Sequence, residues 1–294
     1  MARDADVMRE DLIRNYERYG TTRYIMTDDT INDSMEKVRF LHDVFTSLPF
    51  KIEWMAYARL DLFWKFPEMA QILMDAGMRG VVFGIETMHH EAGKRVGKGL
   101  GPEKIKQSLA QCRAVWGDTV HITGLFILGL PGEPVESMQE TLRYLDGDEC
   151  PIDSVNVTAL QISSERAVSR MDKNKESFGY KRADEREWTH YEDWVSDLTS
   201  AVEMRKMAID FLNRPGVQSK PLYETRTDFV LFTHYSLVSK EMVRDVPGHV
   251  AAEEINALQL EALKNYFRQA ADWQPSQDFL PSAERLSPVV KAKT

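Results

Sequence analysis

The sequence is poor in cysteine and lacks both a long hydrophobic run and an excess of positive charge. Only Cys112 and Cys150 occur among its 294 residues, which excludes a disulfide framework or a four-thiolate metal site built from this chain alone. Both are predicted to be buried thiols. No apolar stretch is long enough to cross a bilayer, and residues 1–6 lack the apolar core of a secretory signal. We therefore expect a cytoplasmic protein with no membrane partner.

The charge balance excludes a further class of partner. The formal net charge is -9, which disfavours general binding to nucleic acid or to an anionic membrane surface, since both reward a basic face. The hydrophobic content of 43% and charged content of 28% are typical of a folded globular protein. The length suits one barrel-like domain with an appendage, or two domains.

Apolar segments alternate with amphipathic segments along the first half of the chain. We predict strands at residues 23–27, 52–58, 80–85, 120–128 and 154–162. We predict helices at residues 5–19, 33–48, 67–76, 102–116 and 135–145, the second of them begun by a capping box of Asp33 and Glu36. Such alternation predicts an α/β fold with parallel strands and right-handed crossovers, in a barrel or an open doubly wound sheet.

Polar or glycine residues lie at the end of each predicted strand or just after it. They are Asp28, Asp29, Arg59, Asp61, Glu86, Gly129, Gly132, Glu133 and Gln161. Taken singly, each would be a helix cap, a turn residue or a structural ion pair. Their recurrence at five strand ends favours one binding face, because the carboxyl ends of parallel strands gather at one edge. In residues 124–133, glycines let a ligand approach the backbone, Pro131 stiffens the turn, and Glu133 begins the next helix.

The second half of the chain has a different character. Residues 191–212 and 250–273 are predicted to be amphipathic helices, with a break at residues 215–216. We divide the chain into a barrel at 1–165, a mainly helical extension at 166–274 and a flexible tail at 275–294. No metal site is predicted, because His89 and His90 are adjacent and point in different directions, unlike ligands four residues apart on a helix.

Six sequence elements carry a family resemblance. They are residues 27–30, 58–61, 75–77, 83–86, 96–99, and 126–133 with Thr141. Their composition and order resemble the radical S-adenosylmethionine (radical SAM) superfamily, in particular the branch whose members often carry an N-terminal cobalamin-binding domain. The resemblance covers about residues 5–165. It implies a partial (β/α) barrel of parallel strands that is missing its first strand and carries a mainly helical C-terminal extension.

The same resemblance implies a binding site for S-adenosylmethionine at the open top of the barrel. Thr27, Asp28 and Asp29 would lie near the methionine amino group, and Glu86 near the ribose. Arg59 would meet the methionine carboxylate or a substrate anion, because guanidinium pairs bidentately with carboxylate. The remaining cofactor-binding residues would lie near the adenine or in the same strand end, and they are Phe126, Gly129, Pro131, Gly132, Glu133 and Gln161.

One family feature is absent from the sequence. Family members carry Cys-x-x-x-Cys-x-x-Cys after their first strand, and these thiolates hold three irons of a 4Fe-4S cluster, leaving the fourth iron for the cosubstrate. Here Met1 falls where that loop would end, and neither Cys112 nor Cys150 is placed to substitute. The strand at 23–27 would then be an exposed parallel edge. We expect a second polypeptide to supply the strand, the cysteines and any cobalamin domain; cobalamin itself has no support in this chain.

The function implied is that of a radical SAM enzyme subunit or fragment that binds S-adenosylmethionine and depends on a partner segment for its cluster. In the complete family, the cluster donates one electron, the sulfonium bond breaks, and a 5'-deoxyadenosyl radical takes a hydrogen from the substrate. The alternatives are a truncated or degenerate barrel that serves as an interaction protein, and an unrelated metal-dependent barrel enzyme using Asp28, Asp29 and Glu86. The substrate is not specified by these residues.

Overall fold

The computed structural model describes residues 4–162, 169–183 and 193–212 of the chain. In chain order the elements are α1 (Ala5–Tyr19), β1 (Arg23–Ile25), α2 (Met35–Thr46), β2 (Glu53–Ala58), α3 (Leu60–Lys65), α4 (Met69–Asp75), β3 (Met78–Glu86), α5 (His90–Arg95), α6 (Pro102–Trp116), β4 (His121–Leu128), α7 (Val135–Asp146), β5 (Ser154–Ala159), α8 (Arg170–Asn174), β6 (Lys181–Arg182), β7 (Trp194–Val195) and α9 (Ala201–Leu212). The predicted helix at 250–273 and the predicted tail at 275–294 lie outside the described residues.

The first five strands form one parallel sheet in the order β1-β2-β3-β4-β5. Right-handed crossovers that always move to the next strand in the same direction place every connecting helix on the same face of the sheet. A doubly wound sheet would instead reverse its strand order at a switch point. The predicted α/β class is confirmed, and the sequential order is that of a partial (β/α) barrel.

The two faces of the sheet differ in their packing. On β2, Trp54, Ala56 and Ala58 belong to the main hydrophobic core beneath the helices. The alternate residue Met55 belongs to a separate small cluster with Val82 on the opposite face. Because side chains alternate along a strand, this pattern gives β2 one helix-covered face and one inner face.

Helix α6 shows how local sequence and packing agree. Gly101 precedes the helix, Pro102 occupies its first turn, and the amide of Gly117 closes it by donating to the carbonyl of Arg113. Trp116 donates its indole N–H to the Ala70 carbonyl at 2.9 Å, which ties α6 to α4. The buried side chains of α6 recur at helical spacing and are Ile105, Ser108, Leu109, Cys112 and Trp116.

Several element boundaries differ from the sequence prediction. The N-cap of α2 is Ser34, whose hydroxyl accepts from the Lys37 amide, so the predicted capping box at Asp33 is wrong. The short helices α3 and α5 were not predicted. They have only six residues each, which is too short for a hydrophobic period to be recognised.

The predicted long helix at residues 191–212 is also shorter in the structure. Its helical part, α9, begins at Ala201, whereas Trp194 and Val195 pair antiparallel with β6. Ser200 and Glu203 explain this start, because the Ser200 hydroxyl accepts from the Glu203 amide while the Glu203 carboxylate accepts from the Ser200 amide. This reciprocal arrangement is a capping box, and its Ser-x-x-Glu signal was present in the sequence.

Both cysteines are buried, as predicted, and neither forms a disulfide. Cys112 lies within α6 and Cys150 precedes β5. Within the described ranges, none of the helices is both long enough and apolar enough to cross a membrane.

Candidate functional site

The carboxyl ends of β1 to β5 lie along one edge of the sheet, because all five strands are parallel. Neighbouring strands are about 4.8 Å apart, so these five ends span roughly 19 Å. The sequence-predicted site residues follow these ends or lie within the last three residues of a strand. The structure therefore brings them to one side of the molecule, which we call the mouth. Their individual ligand contacts stay predictions.

The loop of residues 27–30, which we call the aspartate loop, follows β1 and is held mainly by Lys37. The Lys37 ammonium donates to Asp28 Oδ2 and to the Thr30 carbonyl, both at 2.8 Å. Burial raises the pKa of Asp28, but the bonds from Lys37 and from the Thr30 amide outweigh it, so this pKa lies below its ordinary value. Asp29 is exposed. The loop therefore presents Asp29 outward while Asp28 holds its shape.

Arg59 follows β2 and forms a two-point ion pair with Asp61. Its Nε donates to Asp61 Oδ1 at 3.0 Å and its second guanidinium nitrogen donates to Oδ2 at 2.7 Å. The Arg59 side chain is 46% exposed, so solvent screens the pair and its net contribution to stability is small. An incoming carboxylate can therefore replace Asp61 at little cost.

Glu86 ends β3 in an unusual backbone conformation. Its φ of 68° is the one positive value among the non-glycine residues that the structure describes, and such strain is common at binding sites. The carboxylate folds back over Gly84, where a Cβ would lie only 2.6 Å from Glu86 Oε1. Lys98 pairs with Glu86 at 3.4 Å. Burial raises the pKa of Glu86, and the positive charge of Lys98 opposes that rise.

A cleft opens at the ends of β2 and β3. It contains about 360 Å³ of space, part of it open to solvent. Its walls combine charged groups with an apolar floor, and the lining includes Arg59, Asp61, Gly84, Thr87, Lys98 and Leu100. This mixture suits a ligand with both ionic and apolar parts.

The loop of residues 129–132, which we call the glycine loop, follows β4 and is covered by two aromatic residues of the C-terminal extension. Gly129 has a φ of 86°, and a Cβ on it would lie 2.5 Å from the ring of Trp194. The Tyr180 hydroxyl donates to the Gly129 carbonyl at 2.7 Å, and Trp194 donates to the Leu160 carbonyl at 2.8 Å. Sequence reasoning missed these two aromatic residues, because a lone Tyr or Trp in a polar segment carries no positional signal.

Glu133 lies inside the protein rather than at the surface of the mouth. Its side chain is buried, with 2% of the residue exposed. The Thr87 hydroxyl donates to Oε1 at 2.7 Å, while Oε2 has no hydrogen-bond partner among the described residues. Burial raises the pKa of Glu133 to about 7, although the bonds from Thr87 and Ser137 lower it. Glu133 therefore joins the β3 and β4 ends from within.

The other predicted residues occupy different environments. Phe126 belongs to the core beneath the helices, and Pro131 is buried within the glycine loop. Gly132 is exposed, and a Cβ on it would lie 2.6 Å from the Arg95 guanidinium. Gln161 is exposed just beyond β5. Phe126 therefore lies in the core between β3 and β5 rather than at the surface of the mouth, whereas the Gln161 side chain is open to solvent.

The cysteines do not fit the iron–sulfur cluster that the resemblance implies. Cluster ligands are thiolates. Cys112 is 2% exposed, and burial raises the pKa of its thiol to about 12. Cys150 is 5% exposed and lies before β5, away from the strand ends. Across residues 4–162, 169–183 and 193–212, no three His, Cys, Asp or Glu side chains are grouped so that they could hold a metal ion.

Comparisons with known proteins find matches to the barrel region of the chain. Residues 3–145 match the family model of the radical SAM superfamily. Two curated relatives are an uncharacterized methyltransferase of Pyrococcus horikoshii, 27% identical over 138 residues, and cytidylyl-2-hydroxyethylphosphonate methyltransferase of Streptomyces wedmorensis, 24% identical over 144 residues. Each alignment covers 47% of this chain but only 29% and 26% of the respective relative. The chain thus spans less than a third of their length.

The chain is also similar to a solved structure. It is that of the radical S-adenosylmethionine methyltransferase TsrM from Kitasatospora setae, with cobalamin and a [4Fe-4S] cluster bound. The two chains are 18% identical, with a TM-score of 0.44, and the match covers 54% of this chain and 32% of TsrM.

Proposed function

We propose that this chain, which belongs to the radical SAM superfamily, binds S-adenosylmethionine at the mouth and works with a segment outside these residues that carries the iron–sulfur cluster. The observation that carries the proposal is Glu86: a strained, half-buried carboxylate at the end of a central strand, beside a cleft and held by Lys98. Enzymes of this superfamily use the bound cosubstrate as the source of a 5'-deoxyadenosyl radical.

Different residues of the mouth would bind different parts of the cosubstrate. Glu86 would accept hydrogen bonds from the ribose hydroxyls, since its carboxylate offers two oxygens and Lys98 favours the ionised form. Arg59 would receive the methionine carboxylate by exchange with Asp61, and Asp29 would face the amino group. Of the two glycines after β4, the exposed Gly132 would let the adenine reach the backbone, since Gly129 is covered by Trp194. Together these groups orient the cosubstrate and exclude water.

The open edge of β1 supports the proposal that another segment completes the barrel. The Glu53 amide donates to the Thr22 carbonyl and the Met26 amide donates to the Met55 carbonyl, at 2.8 and 2.9 Å. Main-chain groups alternate in direction along a strand, so the N–H and C=O of Ile25 face away from β2. Within the described ranges, β1 pairs with β2 alone. A further parallel strand, carried by a second polypeptide together with the cluster cysteines, would pair with this edge.

Binding of S-adenosylmethionine is tested with Glu86→Gln, which keeps the side-chain shape and removes the charge. We expect this variant to lose about tenfold in affinity, because a charge-assisted hydrogen bond is replaced by a neutral one. The matched control is Glu91→Gln, which removes a carboxylate from the exposed ion pair with Lys94 and should leave affinity unchanged. Equal affinities of the three proteins in a calorimetric titration would contradict the assignment.

The partner proposal is tested by co-expression with the neighbouring upstream reading frame under anaerobic conditions. We expect a complex that contains iron and forms 5'-deoxyadenosine. Ile25→Pro removes the outward amide and should abolish the complex, whereas Ile25→Val keeps the amide and should preserve it. A chain that forms no complex and no product would instead favour the inactive interaction protein. Both curated relatives are methyltransferases, so methyl transfer is the first reaction to assay.

A further inference from the structure

The side chain of Asn32 continues the β1–β2 ladder after the main chain of β1 has left it. The Met55 carbonyl accepts from the Met26 amide, and the Tyr57 carbonyl accepts from the Ile31 amide, each at 2.9 Å. Two residues further along β2, the partner becomes a side chain. The Arg59 amide donates to Asn32 Oδ1 at 2.9 Å, and Asn32 Nδ2 donates to the Arg59 carbonyl at 3.0 Å. Asn32 is fully buried.

This pairing determines the geometry of the aspartate loop. On β2 the bonded residues follow the regular two-residue step of a strand, at 55, 57 and 59. On the other side the partner jumps from Met26 to Ile31, so residues 27–30 are forced out of the ladder as a loop. Lys37 then fixes that loop from the side of α2 through Asp28, the Thr30 carbonyl and Asp33.

The Asn32 amide thereby links the acidic and basic parts of the mouth. Asn32 lies three residues after Asp29 in the same segment, and its side chain bonds to the backbone amide and carbonyl of Arg59. A side-chain amide with donor and acceptor side by side is the one neutral group that can replace a peptide in this way. We propose that Asn32 is a positioning residue that fixes the separation between Asp29 and Arg59, and thereby the fit of the amino-acid end of the cosubstrate.

The inference rests on the proposed function and is tested with two ligands. S-adenosylmethionine carries the amino and carboxylate groups, whereas 5'-methylthioadenosine keeps the adenosine thioether and lacks them. Asn32→Ala should weaken binding of S-adenosylmethionine by about tenfold, corresponding to about one charge-assisted hydrogen bond, and that of 5'-methylthioadenosine by less than about twofold. Affinities of the full 294-residue chain are measured by ligand-observed NMR titration.

A second variant separates positioning from folding. Lys37→Met removes the bonds that hold the aspartate loop to α2. We expect the same selective loss of affinity for S-adenosylmethionine, even where Asn32→Ala does not fold. Glu36→Gln, on the exposed side of α2, is the control and should change neither affinity. Equal losses for both ligands, or no loss for either, would refute the positioning role. A wild-type chain that binds neither ligand would refute the proposed function itself, and the inference with it.

Discussion

Replacement of Glu133 by glutamine should remove most of the pH dependence that this buried carboxylate gives to stability. Glu133 is 2% exposed, its Oε1 accepts from Thr87, and its Oε2 has no partner among the described residues. The glutamine side chain would keep an oxygen that accepts from the Thr87 hydroxyl and would carry no charge at any pH. The variant Glu133→Gln therefore imitates the protonated state of the wild-type residue.

The magnitude follows from the raised pKa of Glu133. Burial raises this pKa from 4.5 to about 7, which corresponds to about 3 kcal/mol, since one pKa unit is about 1.4 kcal/mol. Because the folded-state pKa lies above the unfolded value, the folded protein holds the proton more tightly. The stability that protonated Glu133 contributes to the folded state is complete below pH 4.5 and is lost as the pH rises through about 7.

The assay is urea unfolding of both proteins between about pH 5 and about pH 8. We expect the free energy of unfolding of the wild type to fall relative to that of Glu133→Gln by about 2.5 kcal/mol across this range. Taking the difference cancels the contribution of Glu86, whose pKa burial also raises. Glu140→Gln, on the exposed face of α7, is the control and should parallel the wild type. Parallel curves for all three proteins would refute the reasoning.

Two further variants test the glycine loop and the Glu86 ion pair. Gly129→Ala should cost about 3 kcal/mol of unfolding free energy, from the strain of a φ of 86° plus the overlap with Trp194, whereas Gly20→Ala, at a φ of 65° in open space, should cost only about 1 kcal/mol. Equal costs in chemical denaturation would contradict the contact with Trp194. Lys98→Met should raise the pKa of Glu86 further, because it removes the opposing positive charge. As the pH is lowered, binding of S-adenosylmethionine should then be lost at a higher pH than in the wild type, because Glu86 becomes protonated sooner. An unchanged pH midpoint would count against the role of Glu86.

The order of strands and helices was predictable because it depends on local periodicity. Burial alternates with period two along β4 from Ile122 onward, and the buried residues of α6 follow the helical repeat. The helices α1 and α6 end at residues 19 and 116, as predicted, and a glycine follows each of them. Parallel topology then placed the strand ends together without any knowledge of side-chain contacts. The predicted strand at 154–162 ran past the observed end at Ala159, because apolar residues continue beyond the last ladder pair.

The details of the mouth were not predictable, because they depend on residues that are distant in the sequence. Thr87 and Glu133 are 46 residues apart, Tyr180 and Gly129 are 51 apart, and Asn32 and Arg59 are 27 apart. A carboxylate after a strand gives the same sequence signal whether it faces solvent, as Asp29 does, or is buried, as Glu133 is. Only packing distinguishes the two.

The open edge of β1 and the aspartate loop are connected by geometry. A strand added in parallel to β1 would lie about 4.8 Å from it and would end on the same side of the sheet. Any loop that followed such a strand would therefore start beside residues 27–30, where we place the amino-acid end of the cosubstrate. Family members carry their cluster cysteines in that position, with one iron left for the cosubstrate. Under our proposal, Asp29 would lie just after the edge strand and Arg59 just after the next strand in, on the side of the sheet where such a loop would begin.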